Sequence, residues 1–227
     1  MSKHLSKCRT IIESIYGVKA REQFLFEFID VWSFLHSDRY PVDGKNIDQE
    51  FMSKAAKLSD ELSLILQHGL EHDALGILLS EYSQLADSKL AFYPTPVDVS
   101  NLCSSLIGLS SDINNEIQVY EPCCGTGGLT FSTLISIAME NSTSENPLGH
   151  VRLSVEDINP TVVKAFFLQV NFLLSYLSNL VQKGVIPKSI SIRCVDVLTR
   201  ESKGIEYYME GSDQKVESDE FSNNTKH

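Results

Sequence analysis

The sequence predicts an α/β protein in which a helical N-terminal region precedes a short parallel sheet. Three observations carry this prediction. Apolar residues in the first 90 positions recur at spacings of three and four, as they do on one face of a helix. After residue 115, three short stretches instead alternate apolar and polar side chains, with helix-forming stretches between them. The first of these stretches runs into "EPCCGTGG", a glycine-rich turn that leads into the next helical segment.

Residues 21–38 place Phe24, Phe28, Val31, Trp32 and Leu35 on one helical face. Pro41 and Gly44 mark a turn, and residues 50–85 are helix-forming again with a break at Gly69. A second region begins after Pro96, a residue suited to the first turn of a helix over 97–109. Residues 116–122 alternate through Ile117 and Val119 until Pro122 stops the strand, and 127–140 read as a helix. A polar loop then leads to the strand "VRLSVED", built on Val151, Leu153 and Val155. Residues 160–181 form a long helix, and 189–198 a third strand through Ile190, Ile192 and Cys194. Strand–helix–strand–helix–strand order implies right-handed crossovers and a parallel sheet. The expected divisions are a helical domain over 1–90, a ligand-binding α/β domain over 91–200, and an acidic tail over 201–227 with room for one short strand or helix.

With 42% hydrophobic and 22% charged residues in 227, the chain has the composition of a folded domain, which excludes a disordered one. The apolar run at 165–182 is interrupted by Gln169, Asn171 and Asn179, and the N-terminus lacks a signal-peptide core, so a cytoplasmic protein without a membrane span is expected. The five cysteines (Cys8, Cys103, Cys123, Cys124, Cys194) form no C-x-x-C pair and read as reduced packing thiols. His68 and His72 stand four apart, a metal-capable spacing, but no third ligand accompanies them and no metal is expected. The net charge is −11, of which −4 falls in 201–227, and this is the wrong sign for gripping nucleic-acid phosphates over the whole surface. DNA contact would require a local patch or a partner.

The glycine turn fits neither common phosphate-binding pattern. Counted from Gly125, the sixth place of a dinucleotide fingerprint is Thr130 rather than glycine, and no lysine lies within 115–150 to complete a P-loop. Glu121, just before the turn, repels a pyrophosphate and welcomes an ammonium group. Glu156, at the end of the second strand, suits ribose hydroxyls, and Asp196, at the end of the third, suits an exocyclic amino group. An ammonium, a ribose and an adenine together describe S-adenosylmethionine.

These residues resemble the adenine-N6 DNA methyltransferases, especially the modification subunits of type I restriction systems. In that family a helical domain precedes a Phe-aromatic-Thr-Pro segment, and this chain has "AFYPTPVDV", which matches with one extra residue, Pro94, so that Thr95-Pro96 aligns with the Thr-Pro. The family's Asp/Glu-Pro-x-Cys-Gly-Ser/Thr-Gly-Gly motif is met by Glu121-Pro122-Cys123-Cys124-Gly125-Thr126-Gly127-Gly128. "SVEDINP" resembles the acid-ending second strand, and "CVDVL" the third motif, with Val195 where glycine is more usual. The resemblance spans residues 20–198. It implies a Rossmann-like S-adenosylmethionine-dependent methyltransferase domain. Phe92, Thr95 and Pro96 would cover the cofactor, Glu121 would lie near its amino group, and Pro122, Cys124, Gly125, Gly127 and Gly128 would run beneath its methionine part. Glu156 with adjoining Asp157 would hold the ribose, and Asp196 with adjoining Val197 the adenine.

The family's catalytic signature, Asn/Asp-Pro-Pro-aromatic, grips a flipped adenine. The chain contains no Pro-Pro, and its Asn-Pro pairs at 146–147 and 159–160 precede the third strand. The expectation is therefore a cofactor-binding protein incomplete for catalysis alone, a subunit or silent homologue in DNA modification. The alternative is an acidic anti-restriction or regulatory interaction protein. A three-stranded parallel sheet also exposes an edge, so a second copy or a partner subunit is expected to cover it.

Overall fold

The first four elements are helices, α1 (Lys3–Glu13), α2 (Val18–Ser37), α3 (Gln49–Gln67) and α4 (Ala74–Tyr82). This computed structural model describes residues 3–42, 47–83, 95–107 and 115–211. The apolar face of α2 buries Phe24, Leu25, Phe28 and Ile29, and Trp32 stacks on Phe28. Asp48 starts α3 by accepting a hydrogen bond from Phe51 N at 2.7 Å, and Asp73 starts α4 by accepting from Gly76 N at 3.1 Å. Such caps satisfy amide donors that a helix leaves unpaired at its first turn. Gly69 separates α3 from α4 at φ +61°, where a side chain would run into the Tyr176 ring.

The second region comprises α5 (Val97–Ile107), β1 (Ile117–Pro122), α6 (Gly128–Glu140), β2 (Val151–Asp157), α7 (Pro160–Val181), β3 (Ser189–Val195) and β4 (Ser202–Glu210). The sheet order is β1-β2-β3-β4; β1, β2 and β3 are parallel and β4 is antiparallel to β3. Pro122 lies opposite Glu156, and Glu156 opposite Arg193. The expected third strand ends three residues early, at Val195.

Leu153, Val155, Ile190 and Ile192 are buried on one sheet face, whereas Gln118, Tyr120, Arg152, Ser154, Ser191 and Arg193 occupy the other, half-buried or exposed. This follows from the alternation in the sequence. A parallel sheet covered on both faces reads as continuous apolar runs, but a sheet covered on one face alternates. The buried face packs against α7, whose far side meets α2, α3 and α4. One continuous apolar core therefore runs from Ile12, Phe28 and Leu58 through Phe166 and Leu173 to Val155 and Ile192. The domain boundary expected near residue 90 lies outside the described residues.

Two expectations need correction. First, α7 is long and apolar enough to cross a membrane by length and composition, with a mean hydropathy of 1.3 over its best window, despite Gln169, Asn171 and Asn179. It is a core helix, buried over much of its length, in which Gln169 and Asn171 find hydrogen-bond partners and Asn179 is exposed. Asn171 Nδ2, for example, donates to Phe167 O at 2.6 Å. Second, the expected tail begins with β4, so the sheet does not stop at three strands. Ile205, Tyr207 and Met209 alternate in that stretch, and Tyr207 stacks on Phe167 with ring centroids 4.1 Å apart. On the outer edge of β4, Tyr40 Oη donates to Glu206 O at 2.9 Å and accepts from Glu206 N at 2.6 Å. The chain thus covers the β3 edge itself. The other edge, on β1, has no strand partner among the described residues.

Candidate functional site

The turn after β1 needs positive φ at three places: Cys123 (62°), Gly125 (56°) and Gly127 (111°). At Gly127 a Cβ would also run into the Phe131 ring, so only glycine fits there. Two hydrogen bonds pin the turn to the end of β2. Cys124 N donates to Glu156 O at 2.9 Å, and Gly125 N donates to Asp157 Oδ2 at 2.9 Å. The other Asp157 oxygen accepts from Asn159 N at 2.9 Å, so one carboxylate joins the glycine turn to the start of α7. Burial pushes the Asp157 carboxyl up from its ordinary range. The Cys124 thiol is likewise pushed well up by burial, which makes it an inert packing group; Cys123 is exposed.

Thr126, between the glycines, donates from Oγ1 to Asp73 Oδ2 at 2.9 Å. Gln169 on α7 completes this buried node: its Nε2 donates to Asp73 Oδ1 at 2.9 Å and to Thr126 O at 3.0 Å, while its Oε1 accepts from Leu75 N at 2.9 Å. Asp73 has no cationic partner among these contacts, and burial raises its pKa. Gly128 then opens α6. A Cβ on it would stand 3.4 Å from Asp73 Oδ2, 3.6 Å from Thr95 O and 3.9 Å from Ser100 Oγ. These groups border a cavity of about 230 Å³ between α4, α5 and α6, which Glu71 and His72 also line.

The strand-end acids do not all converge. Side chains two apart on a strand share a face, and directly paired residues in the ladder point the same way. Glu121 lies opposite Val155 and so takes the helix-covered side, where it accepts a hydrogen bond from Thr130 Oγ1 of α6. Burial lifts its pKa to about 7. Asp157 follows Val155 by two and extends on that same side. Glu156 takes the opposite side. Its side chain is 0% exposed, and both oxygens are taken: Arg200 binds in a bidentate manner at 2.7 and 2.8 Å, Tyr120 Oη donates at 2.7 Å, and Arg193 adds a further contact. Arg200, followed by Tyr120 and Arg193, holds its pKa down at about 2 against the cost of burial. Arg193 and Arg200 thus neutralise Glu156.

Asp196 forms the turn after β3, its Oδ1 accepting from Leu198 N at 2.9 Å and Thr199 N at 3.2 Å; Val197 sits half-buried in that turn. Pro122 is exposed at the end of β1. Thr95 and Pro96 are exposed where α5 begins, and Thr95 reaches Gly128 as noted. Phe92 lies outside the described residues. Sequence reasoning missed Asp73, Ser100 and Gln169. Asp73 carried a readable signal, a capping acid three residues before Gly76, whereas Ser100 and Gln169 carried none.

Residues 70–161 match the family model described as N-6 DNA Methylase. The match covers α4 with Asp73, then α5, β1, the glycine turn, α6 and β2, and ends at the start of α7. Among curated proteins and solved structures, no match to the chain is found.

Proposed function

We infer, from the match of residues 70–161 to the N-6 DNA Methylase model, that this chain is of the adenine-N6 DNA methyltransferase family and binds S-adenosylmethionine in the crevice over its glycine turn, in a Rossmann-like manner. The observation that carries the reading is the Asp157–Gly125 hydrogen bond, which sets the turn, Glu121 and Asp157 on one side of the strand ends. In open α/β sheets, ligands sit beyond the carboxyl ends of the strands. The residues fit the cofactor. A side chain at Gly128 would fill the space between Thr95 and Asp73, and the surrounding charges are acidic, as a sulfonium with an ammonium requires. When bound, the cofactor supplies an electrophilic methyl group.

The chain's own residues bind and orient. The ribose role passes from Glu156, whose oxygens are engaged by two arginines and a tyrosine, to Asp157. Glu121 lies toward the sulfonium end, Asp196 and Val197 toward the adenine, and Thr95 and Pro96 over the cofactor. The sequence has no Pro-Pro from which to build the Asn/Asp-Pro-Pro-aromatic loop that grips a flipped base. Those groups, and the DNA contacts that a net charge of −11 disfavours, come from another segment or subunit working with this one in the cytoplasm. The free edge of β1 is the place where a second copy or partner subunit would add a strand.

A second reading, an interaction protein without methyl transfer, draws on the same acidity and on the missing Pro-Pro. Equilibrium dialysis with labelled S-adenosylmethionine separates the two: saturable binding supports the first, and none leaves the second. Methyl transfer to DNA by this chain alone would overturn the assignment of the base-gripping groups to another segment.

A further inference from the structure

α7 packs on the sheet face of Val155 and Ile192, and the opposite face stays half-buried or exposed among the described residues. Parallel strands are ordinarily covered on both faces, so a bare face calls for a partner. A registered row crosses its middle: Tyr120 on β1, Ser154 on β2, Ser191 on β3 and Tyr208 on β4. The two outer tyrosines are 53% and 51% exposed. Tyrosine and arginine are the side chains that most often anchor protein interfaces, and Arg152 and Arg193 flank this row.

Charge on this face is divided by strand. On the β1–β3 side, Glu116 is shared by Arg152 and Lys188, and Glu156 by Arg193 and Arg200, so each carboxylate leaves one cation in surplus. β4 adds two acids, Glu206 opposite Arg193 and Glu210 opposite Ser189. A second copy can stack on the face with two-fold symmetry in two ways. An axis across the strands lays β4 on β4 and the cationic strands on each other, like upon like. An axis along the strands lays β4 of one copy on β1 of the other. Tyr120 then meets Tyr208, Ser154 meets Ser191, and Glu210 meets the surplus cation of the Glu116, Arg152 and Lys188 cluster. Repulsion disfavours the first arrangement and complementarity selects the second.

We propose that this open face takes a second copy of the chain, with the two-fold axis running along the strands between β2 and β3. The surface is separate from the β1 edge and does not depend on the cofactor reading. Seven-residue strands and a four-strand width make the face roughly 20 Å by 20 Å. The pair would therefore bury ~800 Å² in total, the size of a weak, reversible dimer.

Sedimentation velocity on the full chain between about 1 and 300 μM tests this, with a monomer–dimer equilibrium expected in the micromolar range. Tyr208→Ala should weaken the dimer at least about tenfold, as loss of an interface anchor does. Arg152→Glu and Glu210→Arg should each weaken it similarly, since each homodimer then sets like charges together twice. An equimolar mixture of those two variants restores both pairs and should dimerise as wild type does, which also shows that each variant is folded. A monomer at every concentration means that something other than a second copy covers the face, and it overturns the proposal. So does a dimer that all three variants leave intact, which would lie elsewhere, as at the β1 edge. A mixture that fails to recover overturns the proposed axis and the proposal with it.

Discussion

Thr126 Oγ1 donates to Asp73 Oδ2 across 2.9 Å, and this bond ties the glycine turn to the cap of a helix 53 residues earlier. The same carboxylate caps α4 and fixes the turn beside the cavity, so α4 borders the candidate site. Thr126→Val keeps the shape and removes the donor. It should cost about 1–3 kcal/mol, the range for leaving a buried polar group short of a partner, as read by urea denaturation. A loss near zero would mean that Asp73 is held adequately by Gln169 and Gly76 alone.

Gly127 should tolerate no side chain. Its φ of 111° and the Phe131 ring both oppose a Cβ, and Gly127→Ala should lose about 2–3 kcal/mol. Gly184, with open space around it, serves as the control; Gly184→Ala should stay within about 0.5 kcal/mol. Thermal melts of the two variants decide this.

Glu156 and Glu121 should shape the pH profile in opposite directions. Glu156 is held at about 2 against an ordinary 4.5, so its contribution is complete above pH 4.5 and disappears as pH falls toward 2. The effect is on the order of 1–3 kcal/mol, discounted because the paired arginines are more than a third exposed. Glu156→Gln should remove that acid-side slope and lower stability at neutral pH by a similar amount.

Glu121 is raised from 4.5 to about 7, so the folded state holds a proton that the unfolded state has released. Stability should fall as pH rises from 4.5 to 7 and then level off. Glu121→Gln should flatten that fall and leave the protein more stable than wild type at pH 8, by on the order of 1–3 kcal/mol. Denaturant midpoints measured from pH 4 to 8 give the sign directly.

Much of this fold was legible because periodicity follows burial. The strands of "VRLSVED" and "SISIRCV" alternate because one face of the sheet meets α7 and the other does not, and α7 declared itself by length and apolarity. The same alternation separates Glu156 from Asp157: counting by twos from the buried Val151, Leu153 and Val155 reaches Asp157 and passes over Glu156. Position at the strand end alone does not separate these two acids. β4 was harder to read, since Glu206 and Glu210 hid the alternation of Ile205, Tyr207 and Met209, and the strand is held by its ladder with β3 together with the distant Phe167 ring and Tyr40 hydroxyl. The Asp73 node was the least legible part. A helix cap can be read locally, but Gln169 lies 96 residues further along the chain, and nothing in a sequence window announces a side chain that bridges two elements so far apart.

The most direct measurement is calorimetric titration of S-adenosylmethionine into the wild-type chain, Asp157→Asn and Glu156→Gln. Wild type and Glu156→Gln should bind with similar affinity, and Asp157→Asn should bind at least about tenfold more weakly, the loss of a charge-assisted hydrogen bond to the ribose. No heat from wild type, or a loss confined to Glu156→Gln, would contradict a cofactor seat built on the Asp157 side of the sheet.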